Sequence, residues 1–139
     1  MTQEDKALLI KDLCARLPYG VKCQIYDENY VLSGITSKLC NELYFEELNF
    51  KECDGYVSIE CCKPYLFPLS SMTEAQKREY NSLRDFVPTY HYEFGDIIED
   101  TELYDNFESI DYLIANHFDY RNLIPKGLAI DCTGLNIYV

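Results

Sequence analysis

Two histidines, seven cysteines and a surplus of acids are the groups in this sequence that could do chemistry. A cysteine beside a histidine would make a nucleophile with its base. With so many thiols against His91 and His117, such pairs arise by chance, and none is singled out by spacing. The stretch DCTG at 131–134 offers Cys132, but no neighbouring basic residue to lower its pKa. Zinc would need paired ligands such as CxxC, and Cys14, Cys23, Cys40, Cys53, Cys61, Cys62 and Cys132 never take that spacing. Cys61 and Cys62 are adjacent, so in a strand they point to opposite faces. The expectation is reduced thiols acting as small buried hydrophobes, with no metal.

Other chemistries are equally short of signal. No GxxxxGK[ST] or GxGxxG loop is present, so no nucleotide cofactor is expected. The acids at 96–105 lack the DxDxDG order of a calcium loop and read as a solvated charge run. Glycosidase-like carboxylate pairs carry no weight, because any acidic chain supplies candidates. His117 lies on an apolar helical stripe, and His91 sits among tyrosines. No catalytic residue is assigned, and no cofactor. One segment combines groups suited to binding: FDYRNLIPKG holds Asp119, Tyr120, Arg121 and Lys126. Arg121 follows 36 residues, 85–120, without a lysine or arginine. Its ordinary role would be an ion pair with Asp119 or with the acidic segment. The functional alternative leaves Arg121 and Lys126 partly free beside Tyr65 and Tyr120, as a patch for a peptide or an anionic ligand.

Composition bounds the class. A chain of 139 residues with 47% hydrophobic and 26% charged residues fits one globular domain. The net charge of −12 is uneven: ten acids and no basic residue lie between Arg84 and Arg121. The other fourteen acids nearly balance the twelve basic residues, 12 − 14 = −2. Direct binding to a phosphate backbone is therefore disfavoured. No apolar run approaches the roughly 18 to 20 residues of a membrane span. Acids precede the first apolar stretch, unlike a secretory signal, so the expected compartment is the cytoplasm. Thirteen tyrosines and no tryptophan lean towards binding and away from catalysis. The expected partner is another protein; homo-oligomerisation is left open.

The elements that must position these groups follow from periodicity. Thr2 and Asp5 have capping-box spacing ahead of a helix whose Leu9, Leu13 and Leu17 form a stripe, with Ile10 and Cys14 beside it, ended by Pro18. VKCQIY, YVLSGI, ELYFEELNF and YVSIE read as four short antiparallel strands, with Asp27-Glu28-Asn29 and Asp54-Gly55 as turns. Pro64 and Pro68 should take KPYLFPL out of the sheet, as a joint sealed by Tyr65, Leu66, Phe67 and Leu69. Ser71 with Glu74, or Thr73 with Gln76, then caps a helix to about Phe86. Residues 89–107 read as strand or acidic loop. Ile110, Leu113, Ile114, His117 and Phe118 mark a third helix, and GLAIDCTGLNIYV could return as strand.

The fold expected is α+β: one domain over 1–139, with a small curled, barrel-like antiparallel sheet capped by the N-terminal helix across 1–69. Residues 70–139 would form a mainly helical half with a terminal strand. Three blocks, LPYGVKC (17–23), KPYLFPLSSMTEAQK (63–77) and FDYRNLIPKGLAID (118–131), resemble a family of small uncharacterised proteins of gut anaerobic bacteria, their phages and mobile elements. That resemblance implies an intracellular accessory role and carries over no catalytic residue. The leading expectation is a non-enzymatic protein-interaction or adaptor module. Alternatives are an acidic nucleic-acid mimic occupying a DNA-binding protein or nuclease, and a small hydrolase or transferase with an unrecognised site.

Overall fold

The computed structural model describes residues 1–36, 42–48 and 54–139. Cys40 and Cys53, and the end of the expected third strand at residues 49–50, lie outside them. Two compact units appear: residues 1–71 with 114–139, and residues 72–113.

The first unit begins with α1 (Gln3–Arg16), whose start is fixed by a capping box in which Thr2 and Asp5 satisfy each other's backbone N–H groups. Strands β1 (Lys22–Ile25) and β2 (Glu28–Val31) form a hairpin across Tyr26-Asp27. The turn falls one residue earlier than the Asp27-Glu28-Asn29 reading, with Tyr26 in left-handed backbone at φ 56°. Short strands β3 (Gly34–Ile35), β4 (Glu42–Tyr44) and β5 (Tyr56–Ser58) make a separate antiparallel sheet. Gly55 allows its close turn: a Cβ there would lie 2.7 Å from the Tyr44 ring.

β6 (Cys62–Pro68) overturns the expectation that KPYLFPL leaves the sheet. It is the middle of a sheet ordered β10-β6-β1-β2, with β9 (Phe118–Asp119) also on β6 and β10 being Ile130–Asp131. The prolines are tolerated because β6 changes partners along its length. Residues 62–64 pair antiparallel with β1, and Pro64 ends that run. Tyr65 and Leu66 then pair parallel with β10, and Phe67 and Pro68 with β9, so Pro68 ends the second run. Leu9, Leu13, Val21, Cys23, Ile25, Leu43, Phe45, Ile59, Leu66 and Leu123 are the centre of a core drawn from α1, both sheets and the C-terminal segment.

The second unit contains α2 (Glu74–Leu83), β7 (Asp85–Glu93), β8 (Asp96–Tyr104) and most of α3 (Phe107–Ala115). Thr73, with Gln76 in return, is the cap that forms. Asn106 links the elements: its side chain donates to the Leu83 carbonyl at 2.7 Å and accepts from the Ser109 N–H at 2.9 Å. Arg84 lies 3.4 Å from the Asp105 carboxylate, which Tyr80 also donates to.

Two parts of the expected fold are corrected. The sheets are open, and the β6 sheet is mixed, not curled or barrel-like: its path runs from β10 to β2, which do not pair with each other, and β3–β5 form a sheet of their own. The second half is built mostly from strands, not helices. α2 stops at Leu83, and the next residues are β-branched and aromatic at alternate positions, a composition that favours an extended chain over its acidic content. His117 is not helical either; it follows α3 in left-handed backbone at φ 63°.

Candidate functional site

Helix α1 buries Leu9, Asp12, Leu13 and Arg16, a stripe at i, i+3, i+4 and i+7 that includes a charged pair. Asp12 and Arg16 are both 0% exposed. Arg16 Nε donates to Asp12 Oδ2 at 2.7 Å, and Nη2 donates to the Phe118 carbonyl at 2.6 Å. Arg121 Nε lies 3.3 Å from Asp12 Oδ1, near enough for ion pairing but without hydrogen-bond alignment. The Tyr120 ring faces both guanidiniums, 4.7 Å from Arg121 and 5.9 Å from Arg16. The carboxylate that holds Arg121 thus comes from the first helix, not from Asp119 or the acidic segment.

Asp119, 5% exposed, instead accepts from the Leu123 and Ile124 N–H groups, each at 2.9 Å, closing the loop after β9. Tyr65 is 4% exposed, and its carbonyl accepts from Tyr138 Oη at 2.8 Å. Tyr65 and Asp119 therefore face the interior, while Tyr120 and Arg121 are half-buried and Lys126 is exposed. The five residues do not converge on an open surface. A cleft of about 130 Å³ beside them, lined by Pro68, Leu69, Asp119, Asn122, Ile124 and Pro125, is small against the roughly 300 Å³ at which small-molecule sites begin. Sequence reasoning missed Asp12 and Arg16, although they occupy the two places in the Leu9–Leu13 stripe that helical spacing leaves vacant.

The described thiols divide: Cys14 and Cys61 are exposed, against the expectation of burial, while Cys23, Cys62 and Cys132 are buried. Burial pushes the thiols of Cys62 up to about 12 and Cys132 up to about 11, and raises Cys23 as well. Among the described residues no group of three or more His, Cys, Asp or Glu side chains could hold a metal ion. His117 stacks on Tyr138 with ring centres 3.6 Å apart, its Nδ1 buried without a hydrogen-bond partner. Burial, with Arg16 and Lys22 nearby, pulls it down to about 4 from 6.5. The unfolded chain takes up that proton near pH 6.5 and the folded one only near 4. Stability from this group is therefore present above 6.5 and is lost as pH falls through that window. Melting temperature should drop from pH 6.5 to 4.5 more steeply in the wild type than in His117→Phe, which keeps the stack. Equal slopes would assign the acid sensitivity elsewhere.

The surface suited to contact lies in the second unit. β7 and β8 pair in unbroken register from Asp85↔Tyr104 to Glu93↔Asp96. Residues opposite each other share a face, so one face carries Phe86, Pro88, Tyr90 and Tyr92 with Leu103, Thr101, Glu99 and Ile97. The other carries five acids, Asp85, Glu93, Asp96, Asp100 and Glu102, among Val87, Thr89, His91, Ile98 and Tyr104. The apolar face is open: Phe86 is 65%, Tyr90 66%, Tyr92 78% and Ile97 64% exposed. At the tip Phe94 is 97% exposed in left-handed backbone at φ 52°, a conformation that costs a bulky residue about 1–2 kcal/mol and suits Asn or Gly better. Neither face was visible while 89–107 could be strand or loop, because pairing register alone sorts aromatics from acids.

Comparisons with protein-family models, with curated proteins and with solved structures return no match for this chain. Among the described residues no helix is long and apolar enough to cross a membrane.

Proposed function

We propose that this protein is a non-enzymatic interaction module that presents the hairpin 85–104 to a protein partner in the cytoplasm. The observation that carries the reading is the segregation of the hairpin into an exposed aromatic face and an acidic face. Among the described residues nothing covers Phe86, Tyr90, Tyr92 and Ile97, and exposed aromatic clusters rimmed by charge are typical of docking surfaces. A phenylalanine 97% exposed at the tip extends the aromatic strip. Association with a mobile element rests on the three resembling blocks.

A nucleic-acid mimic is the weaker reading. Nine residues of strand span about 30 Å at 3.4 Å each. The six acids of the two strands then give about one charge per 5 Å, against one per ~1.7 Å of duplex. A mimic also has no use for the aromatic face.

The test is recovery of partners from the host by the full chain and by Tyr92→Ser/Phe94→Asn. Both side chains are exposed and asparagine suits the turn, so folding should be unchanged. The wild type should hold its partner from roughly 0.05 to 0.2 M salt and the variant should lose it. A partner kept by the variant, or one released across that salt range, would overturn the reading.

A further inference from the structure

The hairpin turn Phe94-Gly95 has φ of 52° and 85°, positive at both central residues as in a type I′ turn. The pair flanking such a turn, Glu93 and Asp96, exchanges both backbone hydrogen bonds, and bonded and non-bonded pairs alternate from there. Ile97, Glu99, Thr101 and Leu103 therefore turn their N–H and C=O groups outward from β8. So do Tyr92, Tyr90, Pro88 and Phe86 from β7. Three observations agree with this assignment. Pro88, which lacks an N–H, falls in the outward set. The Thr101 N–H donates to Asp100 Oδ1 at 2.8 Å, and the Leu103 carbonyl accepts from Arg84 Nη2 at 2.8 Å.

The two outer edges differ. Pro88 interrupts the edge of β7, while β8 has no proline. Among the described residues β8 pairs with β7 alone, and nothing takes the outward backbone groups of Ile97 and Glu99. The edge is open at Ile97 and Glu99 and partly occupied at Thr101 and Leu103, and its open part can template another strand. A strand laid there would place alternate residues on the two faces. On one it would meet Ile97, Glu99, Thr101 and Leu103 with the aromatic strip beyond; on the other, Asp96, Asp100 and Glu102 with Ile98 and Tyr104. We propose that β8 takes an extended segment of a partner protein as a third strand, one in which Lys or Arg alternates with apolar residues. Cross-strand charge pairs then form on the acidic face and apolar contacts on the aromatic one. A second copy of this chain is the wrong occupant, because its β8 would set carboxylates against carboxylates. The inference rests on the hairpin being the contact surface.

The full chain is titrated with an end-capped nine-residue peptide alternating valine and lysine, and with a peptide of the same composition whose lysines are in one block. Binding is followed by calorimetry and by backbone amide NMR. The alternating peptide should bind about tenfold more tightly than the blocked one, with slowed exchange at Ile97 and Glu99. Glu99→Pro removes an outward N–H and no β7–β8 bond, and should weaken binding about tenfold; Glu99→Gln removes the same charge and should change it less than about threefold. Equal binding of the two peptides, no binding of the alternating one, or indifference to Glu99→Pro would overturn the proposal. If the peptide fails while Tyr92→Ser/Phe94→Asn still loses its cellular partner, only the added strand is wrong. If both fail, the interaction reading falls with it.

Discussion

Asp12→Ala should destabilise the protein by about 3–5 kcal/mol, the cost of leaving a buried charge without its partner. The guanidinium of Arg16 is wholly enclosed, with Nη1 already lacking a hydrogen-bond partner, so losing the 2.7 Å bond to Asp12 leaves only the Phe118 carbonyl as acceptor. Arg121→Ala should cost less, about 1–3 kcal/mol, because Asp12 keeps its bond to Arg16 while its buried Oδ1 loses the cation 3.3 Å away. Replacing both buried partners, as Asp12→Leu/Arg16→Met, should recover most of the loss, since an apolar pair needs no desolvation to be repaid. Denaturant unfolding measures all three. An Asp12→Ala cost below about 1 kcal/mol would mean that the pair is solvated in solution.

Leu13→Ala should cost about 2–5 kcal/mol. The side chain is 0% exposed in the core shared by α1, β1, β6 and the C-terminal segment, where neighbours held by backbone pairing cannot close the cavity. The change should lower the denaturation midpoint while leaving the m value unaltered. A cost under about 1 kcal/mol would show that this face of the helix repacks freely.

What the sequence made legible, and what it hid, follows one physical line. Local signals spoke for themselves: the capping boxes at Thr2 and Thr73 and the Leu9–Leu13 spacing are short-range features, and each appears in place. Features set by distant partners did not. β6 contains two prolines yet is central, because its neighbours change halfway along, and no local rule announces that. Residues 85–104 hid a nine-pair hairpin because acids depress strand propensity while aromatics raise it, and the register that decides between them is a cross-strand property. The candidate patch joins Asp119, Tyr120, Arg121 and Lys126 of one connector to the distant Tyr65, and the connector's sequence does not show what holds Arg121. Asp12, over a hundred residues away, turns its arginine into an interior tie.

The interaction reading meets its most direct measurement in amide hydrogen exchange of the full chain, alone and with the partner it recovers from the host. A two-stranded hairpin with both faces in water opens readily, so exchange across 85–104 should be fast in the free protein. Binding should slow it there, most at residues 96–101, with 117–126 unchanged. Slowing confined to 117–126, with 85–104 as fast as before, would contradict the account and return the contact surface to the segment around Arg121.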